Sequence, residues 1–217
     1  MLIKKILETY SNLHSNVEYT DSDTVSFDGS QIQKEFFEAW YCISEYYKRN
    51  TVSELTFLEV GAWKGLWGIA FAEFCKLRGI KGKYVTITMI DQDPNNQPLY
   101  KTIEYIQSIG VNATLIDKNT LDESALTDVL KYSKSYNMVF IDADHSYESV
   151  LSDIEKFAPL ATDILLFHDI RPKAVMQNFG VYQAIVDSNI SLDKEIISNE
   201  NAMGIGIKYL NHVISNS

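Results

Sequence analysis

The sequence predicts an α/β fold: a doubly wound, mostly parallel sheet of seven strands, with one antiparallel strand near the C-terminus. Three observations carry this expectation. From residue 55 onward, short runs rich in Val, Ile, Thr and aromatics alternate with segments of helical apolar periodicity. The stretch Thr56-Phe57-Leu58-Glu59-Val60-Gly61-Ala62-Trp63-Lys64-Gly65 reads as strand, tight glycine turn and helix start. The last two strand-like runs are separated only by residues 199–202, which allows a hairpin but not a parallel crossover.

The elements follow in order. Residues 2–7 carry Leu2, Ile3, Ile6 and Leu7, the pattern of a short amphipathic helix. Residues 19–30 are rich in Asp, Ser, Thr and Gly and read as loop, a surface connection more than a substrate lid. Residues 31–49 place Ile32, Phe36, Phe37, Trp40, Ile43, Tyr46 and Tyr47 at threes and fours, a core-facing helical stripe that could also serve as a homodimer seam. Strands are expected at 55–60, 84–91, 113–117, 137–142, 164–169, 195–198 and 203–209. Helices are expected at 66–77, from Pro98 to Gly110, after Thr120, at 146–160, and at 172–187 with a break at Gly180. Thr120-Leu121-Asp122-Glu123 has capping-box spacing. Residues 1–54 form a helical and loop lead-in, and 55–217 the main domain.

Composition bounds what such a chain can do. Of 217 residues, 46% are hydrophobic and 22% charged, which is ordinary globular composition. A net charge of -10 argues against nucleic acid and against an anionic membrane surface. No apolar run is long enough to span a bilayer, and the first residues lack a signal-peptide core. Cys42 and Cys75 are far apart in apolar helical contexts, which reads as core filler in a reducing cytoplasm.

In parallel sheets of this kind, ligands collect beyond the carboxyl ends of the strands. Acids recur there: Glu59, then Asp91, then Asp117, then Asp142 and Asp144, then Asp169. Glu59 would be costly to bury without a partner, so it is expected to face a ligand. Gly61 would let a ligand approach the main chain, and Gly65 would let the helix pack on its strand. Asp91 suits the hydroxyls of a ribose. The run Phe140-Ile141-Asp142-Ala143-Asp144-His145-Ser146-Tyr147, followed by Phe167-His168-Asp169, would bring Asp142 and Asp169 together if their strands are neighbours, roughly 4.8 Å apart. Two carboxylates so placed call for a cation or a proton between them. Oxygen ligands favour Mg²⁺ or Ca²⁺, and His168 as a further ligand would tilt the choice towards a softer metal. Asp144 and His145 are candidate general bases; a plainer role for Asp144 is to cap the helix near Ser146.

Glu59-Val60-Gly61-Ala62-Trp63-Lys64-Gly65, Asp91, the Asp142-Ala143-Asp144-His145-Ser146-Tyr147 run and His168-Asp169 together resemble the class I S-adenosylmethionine-dependent methyltransferases. Within them, the likeness is to metal-dependent sugar and macrolide O-methyltransferases and cephalosporin-hydroxylase-like proteins. It covers roughly residues 55–209. The resemblance implies a methyl donor held by Glu59, Gly61, Ala62, Trp63, Gly65, Asp91, Gln92, Asp117 or its neighbours, and Asp142. It implies a divalent metal on Asp142, His168 and Asp169, proton removal by Asp144 or His145, and a small-molecule hydroxyl as acceptor. The chain departs from the pattern at Ala161-Thr162-Asp163, where glycines are usual, and at His168-Asp169, where some relatives carry adjacent acids. An oxidoreductase would need G-x-G-x-x-G, and the chain has E-x-G-x-x-x-G. A non-catalytic binding protein is the third reading.

Overall fold

The computed structural model describes residues 2–14, 17–19, 25–27, 30–32, 34–90, 98–171, 180–197 and 203–211. The chain opens with helix α1 (Leu2–His14), three short strands β1 (Val17–Tyr19), β2 (Val25–Phe27) and β3 (Ser30–Ile32), and helix α2 (Lys34–Arg49). Then come β4 (Glu54–Val60), α3 (Leu66–Arg78), β5 (Lys81–Thr88), α4 (Leu99–Ser108), β6 (Asn112–Asp117) and α5 (Ala125–Leu130). The remainder is β7 (Tyr136–Ile141), α6 (Tyr147–Phe157), a 3₁₀ turn (Ala158–Leu160), β8 (Ala161–His168), α7 (Val181–Asp187), β9 (Lys194–Ile196) and β10 (Ile205–Tyr209).

Strands β4 to β10 form one seven-stranded sheet in the order β6-β5-β4-β7-β8-β10-β9. Neighbours from β6 to β8 are parallel, and β10 runs antiparallel to both β8 and β9. The antiparallel strand is therefore internal, and β9 is the edge. That edge is short and carries Lys194 and Glu195, which discourages pairing with another chain.

Alternate residues of each strand feed two cores. Phe57, Tyr84, Met138, Phe140, Leu166 and Ile207 pack under α1 to α4. Leu58, Val60, Val85, Val139, Leu165 and Phe167 pack under α5, α6 and α7. The aromatic stripe of α2 is consumed here: Phe36, Trp40 and Tyr47 are buried, and Trp67 of α3 meets Phe36, Trp40 and Phe140. Most of that stripe is thus spent within the chain. Helix α1 runs to His14, longer than expected, because Ile6, Leu7 and Tyr10 bury in the same cluster.

Several boundaries differ from the sequence reading. Residues 19–30, read as loop, contribute to a small antiparallel sheet of β1, β2 and β3. Backbone pairing holds those polar runs, which periodicity does not register. Helix α2 starts at Lys34 because residues 30–32 are extended. Strand β5 starts at Lys81 and ends at Thr88, so Asp91 lies beyond it. Ala161-Thr162-Asp163 is part of β8, with a register shift opposite Tyr136 and Met138. The capping box does not form: α5 starts at Ala125 without a side-chain cap, and Thr120 is buried.

Candidate active site

The carboxyl ends of the parallel strands enclose a cleft of about 460 Å³, within the usual size range for small-molecule sites. Its wall is built from the segments that leave β4, β5, β6, β7 and β8. Gly61 and Trp63 come from the first, Thr88 and Met89 from the second, and Lys118, Asn119, Thr120 and Leu121 from the third. Asp142, Ala143, Asp144 and His145 follow β7, and His168 and Asp169 end β8. Register explains the last two groups: Ile141 pairs with Phe167, so the residues just beyond them emerge side by side.

Two carboxylates and two imidazoles meet there. His168 Nδ1 lies 3.1 Å from Asp142 Oδ1 and 3.3 Å from Asp169 Oδ1. His145 Nε2 lies 2.9 Å from Asp169 Oδ2 and 3.5 Å from Asp142 Oδ1. Burial pushes both histidines down, but the two carboxylates outweigh it, raising His145 to about 10 and His168 to about 9. Burial alone would raise Asp142; the histidines reverse that and hold it below the usual carboxylate range. Asp169 adopts φ 56, a left-handed conformation that aspartate tolerates better than most residues. The structure accepts that strain at the point where the carboxylate reaches His145, as strained residues at functional sites often do.

The group fits a divalent cation. Asp142, His168 and Asp169 each offer a ligand atom, all within 4.8 Å of one another. Asp169 is 5% exposed, and its Oδ1 makes no hydrogen bond among the described residues. A buried carboxylate oxygen in that state is well suited to a metal ligand.

Other expected site residues have different positions. Glu59 points to the α3 side of the sheet, 2% exposed, and does not border the cleft. Its carboxylate accepts the Tyr84 hydroxyl and the Gly68 amide in the first turn of α3. Burial raises its pKa well above the ordinary value, with these hydrogen bonds opposing. Tyr84 and the orphan helix amide thus give the buried carboxylate the partners that the sequence reading sought in a ligand. Removing the hydroxyl in Tyr84→Phe is expected to destabilise the fold by about 1.5–3 kcal/mol in urea unfolding. An unchanged midpoint would show that the hydroxyl contributes nothing to Glu59.

Gly65 is the left-handed N-cap of α3. A Cβ there would meet Thr102 at 2.6 Å and Leu99 at 2.8 Å, so it packs on α4 rather than on its strand. The close helix–strand approach is made instead by Gly68, where a Cβ would lie 2.6 Å from the Tyr84 ring. Gly61 borders the cleft, but the space beside its Cα is filled by the Asp142 carbonyl and Ala143, not by a ligand. Ala62 is 5% exposed and turns its carbonyl to the Gly65 amide at 2.6 Å. Trp63 stands 43% exposed on the rim at φ 43, with Lys64 Nζ 4.7 Å from its ring centre. Asp117 Oδ1 accepts the Ile90 amide at 2.8 Å, so the neighbours Lys118 to Leu121 line the cleft in its place. Asp144 Oδ1 accepts the Ser146 amide at 2.6 Å, an Asx turn that leads into α6 rather than a cap on its first-turn amides. Asp91 and Gln92 lie outside the described residues. Sequence does not single out Thr88 or Met89, and it reaches the 118–121 wall only as neighbours of Asp117; their signal is position just after a strand.

This strand order, with a cleft over the strand ends and the internal antiparallel β10, is the Rossmann-like methyltransferase architecture. The chain belongs to the Methyltransferase domain family, whose profile matches residues 58–170, more than half of its 217 residues. Among solved structures, it is similar to CalS11, a TDP-rhamnose 3'-O-methyltransferase of calicheamicin biosynthesis. The TM-score is 0.55 at 12% identity, covering 83% of this chain and 82% of that one. It is also similar to the methyltransferase MycE of mycinamycin biosynthesis, in complex with Mg, SAH and mycinamycin VI. There the TM-score is 0.51 at 10% identity, covering 82% of this chain and 50% of that one. A third, the O-methyltransferase NovP, gives a TM-score of 0.52 at 11% identity, covering 81% and 79%. At these identities the likeness is one of fold. No curated protein matches the chain.

Proposed function

We propose that this methyltransferase moves the methyl group of S-adenosyl-L-methionine to a hydroxyl oxygen of a small molecule. We further propose that Asp142, His168 and Asp169 hold a divalent cation. The observation that carries this reading is the meeting of two carboxylates and two histidines at one end of the cleft. The structurally similar CalS11 and NovP are described as O-methyltransferases, and MycE as a complex with Mg and SAH, which supports the same chemistry here. The net charge of -10 disfavours nucleic acid as acceptor. No helix among the described residues is long and apolar enough to cross a membrane. Cys42 and Cys75 are unpaired, which supports a reducing compartment such as the cytoplasm.

The donor is already activated as a sulfonium, so the chain's task is to hold an oxygen in line with the methyl group. Positioning of that kind can supply about 7–11 kcal/mol of a barrier. The acidic rim favours a cationic donor. A bound cation would lower the acceptor hydroxyl's pKa and orient it. His145 is the better-placed base, because Asp144 has one oxygen committed to the Ser146 amide. Asp142 and Asp169 raise the His145 pKa and so favour its protonated form. The same carboxylates would serve the cation, and His145 can accept a proton once their hold on it is relaxed.

Calorimetry with S-adenosylhomocysteine and with NAD tests the cofactor. The expected result is binding of the first and none of the second. Tight NAD binding without S-adenosylhomocysteine binding would favour an oxidoreductase and overturn the reading.

A further inference from the structure

Helix α6 carries a carboxylate that the proposed chemistry does not use. Asp153 is 0% exposed, and neither of its oxygens makes a hydrogen bond of good geometry among the described residues, although the Thr120 side chain lies near enough to favour its charged form. Native proteins rarely leave a buried carboxylate in that state, because its desolvation is only partly compensated. Burial raises its pKa to about 6; the Thr120 side chain and Lys156 pull the other way, and Asp144 adds to the rise. Three residues further along the same helix face, Lys156 Nζ donates to the Thr120 carbonyl at 2.8 Å. Asp153 and Lys156 thus converge on Thr120, one at its side chain and one at its backbone.

Thr120 is 6% exposed and borders the cleft within the 118–121 wall. The same wall is tied on its other side to α5: Lys118 Nζ donates to Ser124 Oγ at 2.7 Å and pairs with the Asp128 carboxylate. The cation group occupies the β7 and β8 end of the cleft, which leaves the wall after β6 facing the donor's remaining part. We propose that Asp153 and Lys156 are positioning residues that fix the 118–121 wall from behind. They thereby set affinity for the nucleoside end of the methyl donor without touching it. This inference rests on the cofactor reading above. A wall already held in its binding shape spares the ligand the ordering cost that otherwise weakens association. It also gives a reason to keep a poorly compensated acid where an apolar residue would be more stable.

Calorimetric titrations with S-adenosylhomocysteine and with adenosine, beside thermal melts at pH 8, test it in Asp153→Asn, Lys156→Met and Lys156→Arg. Lys156→Met is expected to weaken S-adenosylhomocysteine about tenfold, the loss of one charged hydrogen bond, and adenosine by the same factor. Asp153→Asn is expected to weaken both several-fold while its Tm stays level or rises, since a buried charge has been removed. Lys156→Arg should restore most of the affinity. Affinity within twofold of wild type in both Asp153→Asn and Lys156→Met overturns the inference. So does a Tm loss that accounts for the weakened binding. Should Asp153→Asn fail to fold, half-buried Lys156 still decides the matter. Absence of binding by the wild type would overturn the cofactor reading itself, a result distinct from equal binding by all variants.

Discussion

Asp142→Ala is expected to reduce methyl transfer by about 10²–10⁴-fold, the range a positioned acid–base or ligand group commonly contributes. The residue stands at the centre of the charged group, 3.1 Å from His168 and 3.5 Å from His145. Without it, the coulombic support that opposes burial at His168 is largely gone, and that ring moves towards its neutral form. The proposed cation site is left with one carboxylate and one imidazole. Thermal stabilisation by Mn²⁺ should therefore disappear in the variant, while S-adenosylhomocysteine affinity changes less than tenfold. Asp144→Ala is the contrasting case. Its Oδ1 is bound to the Ser146 amide at the entry to α6, so about 1 kcal/mol of stability is lost and activity falls far less. Full activity of Asp142→Ala, or of the wild type in excess chelator, would remove the cation from the mechanism. A larger activity loss in Asp144→Ala than in His145→Ala would move the base assignment to Asp144.

What could be read from sequence follows the reach of each signal. Periodicity and turn chemistry are local, and they placed β4 and α3, the β7 run ending at Asp142, and the closing hairpin of β9 and β10. Parallel register then brought Asp142 and Asp169 together, as neighbouring strands must. What was not legible depends on tertiary neighbours. Glu59 looked like a ligand group because nothing local could satisfy it, yet its partner Tyr84 stands 25 residues away on the adjacent strand. Gly65 was credited with packing on a strand, but α4 is what presses on it. Thr120 carried the mark of a capping box and is instead held by Lys156, 36 residues on. In each case the residue type announced a need, and only the fold determined which partner met it. The wall after β6 was legible only as neighbours of Asp117, because Lys118 to Leu121 reach the cleft through their position at a strand end.

Gly61→Ala is expected to lower stability by at least about 3 kcal/mol, a Tm drop of roughly 6–12 °C for a chain of this size, and to abolish S-adenosylhomocysteine binding. Two effects add. Gly61 has φ 84, where an L-residue pays roughly 1–2 kcal/mol. The new methyl would also lie 2.2 Å from the Asp142 carbonyl oxygen and 2.5 Å from the Ala143 Cα. These are backbone atoms of the segment that leaves β7, where the Asp142 amide is bound to the Val60 carbonyl at 2.8 Å. They cannot swing aside as a side chain would, so relief must come from moving the β4 and β7 ends apart. That displaces Asp142 from the histidines and opens the cleft at its narrowest backbone approach. Gly79→Ala separates the two effects. Gly79 also has positive φ, at 64, but a Cβ there meets nothing within 4 Å. It should lose only the conformational share, about 1–2 kcal/mol, and keep full ligand affinity. If the two variants melt together and bind alike, the tight contact between the β4 turn and the β7 turn is not what shapes this cleft.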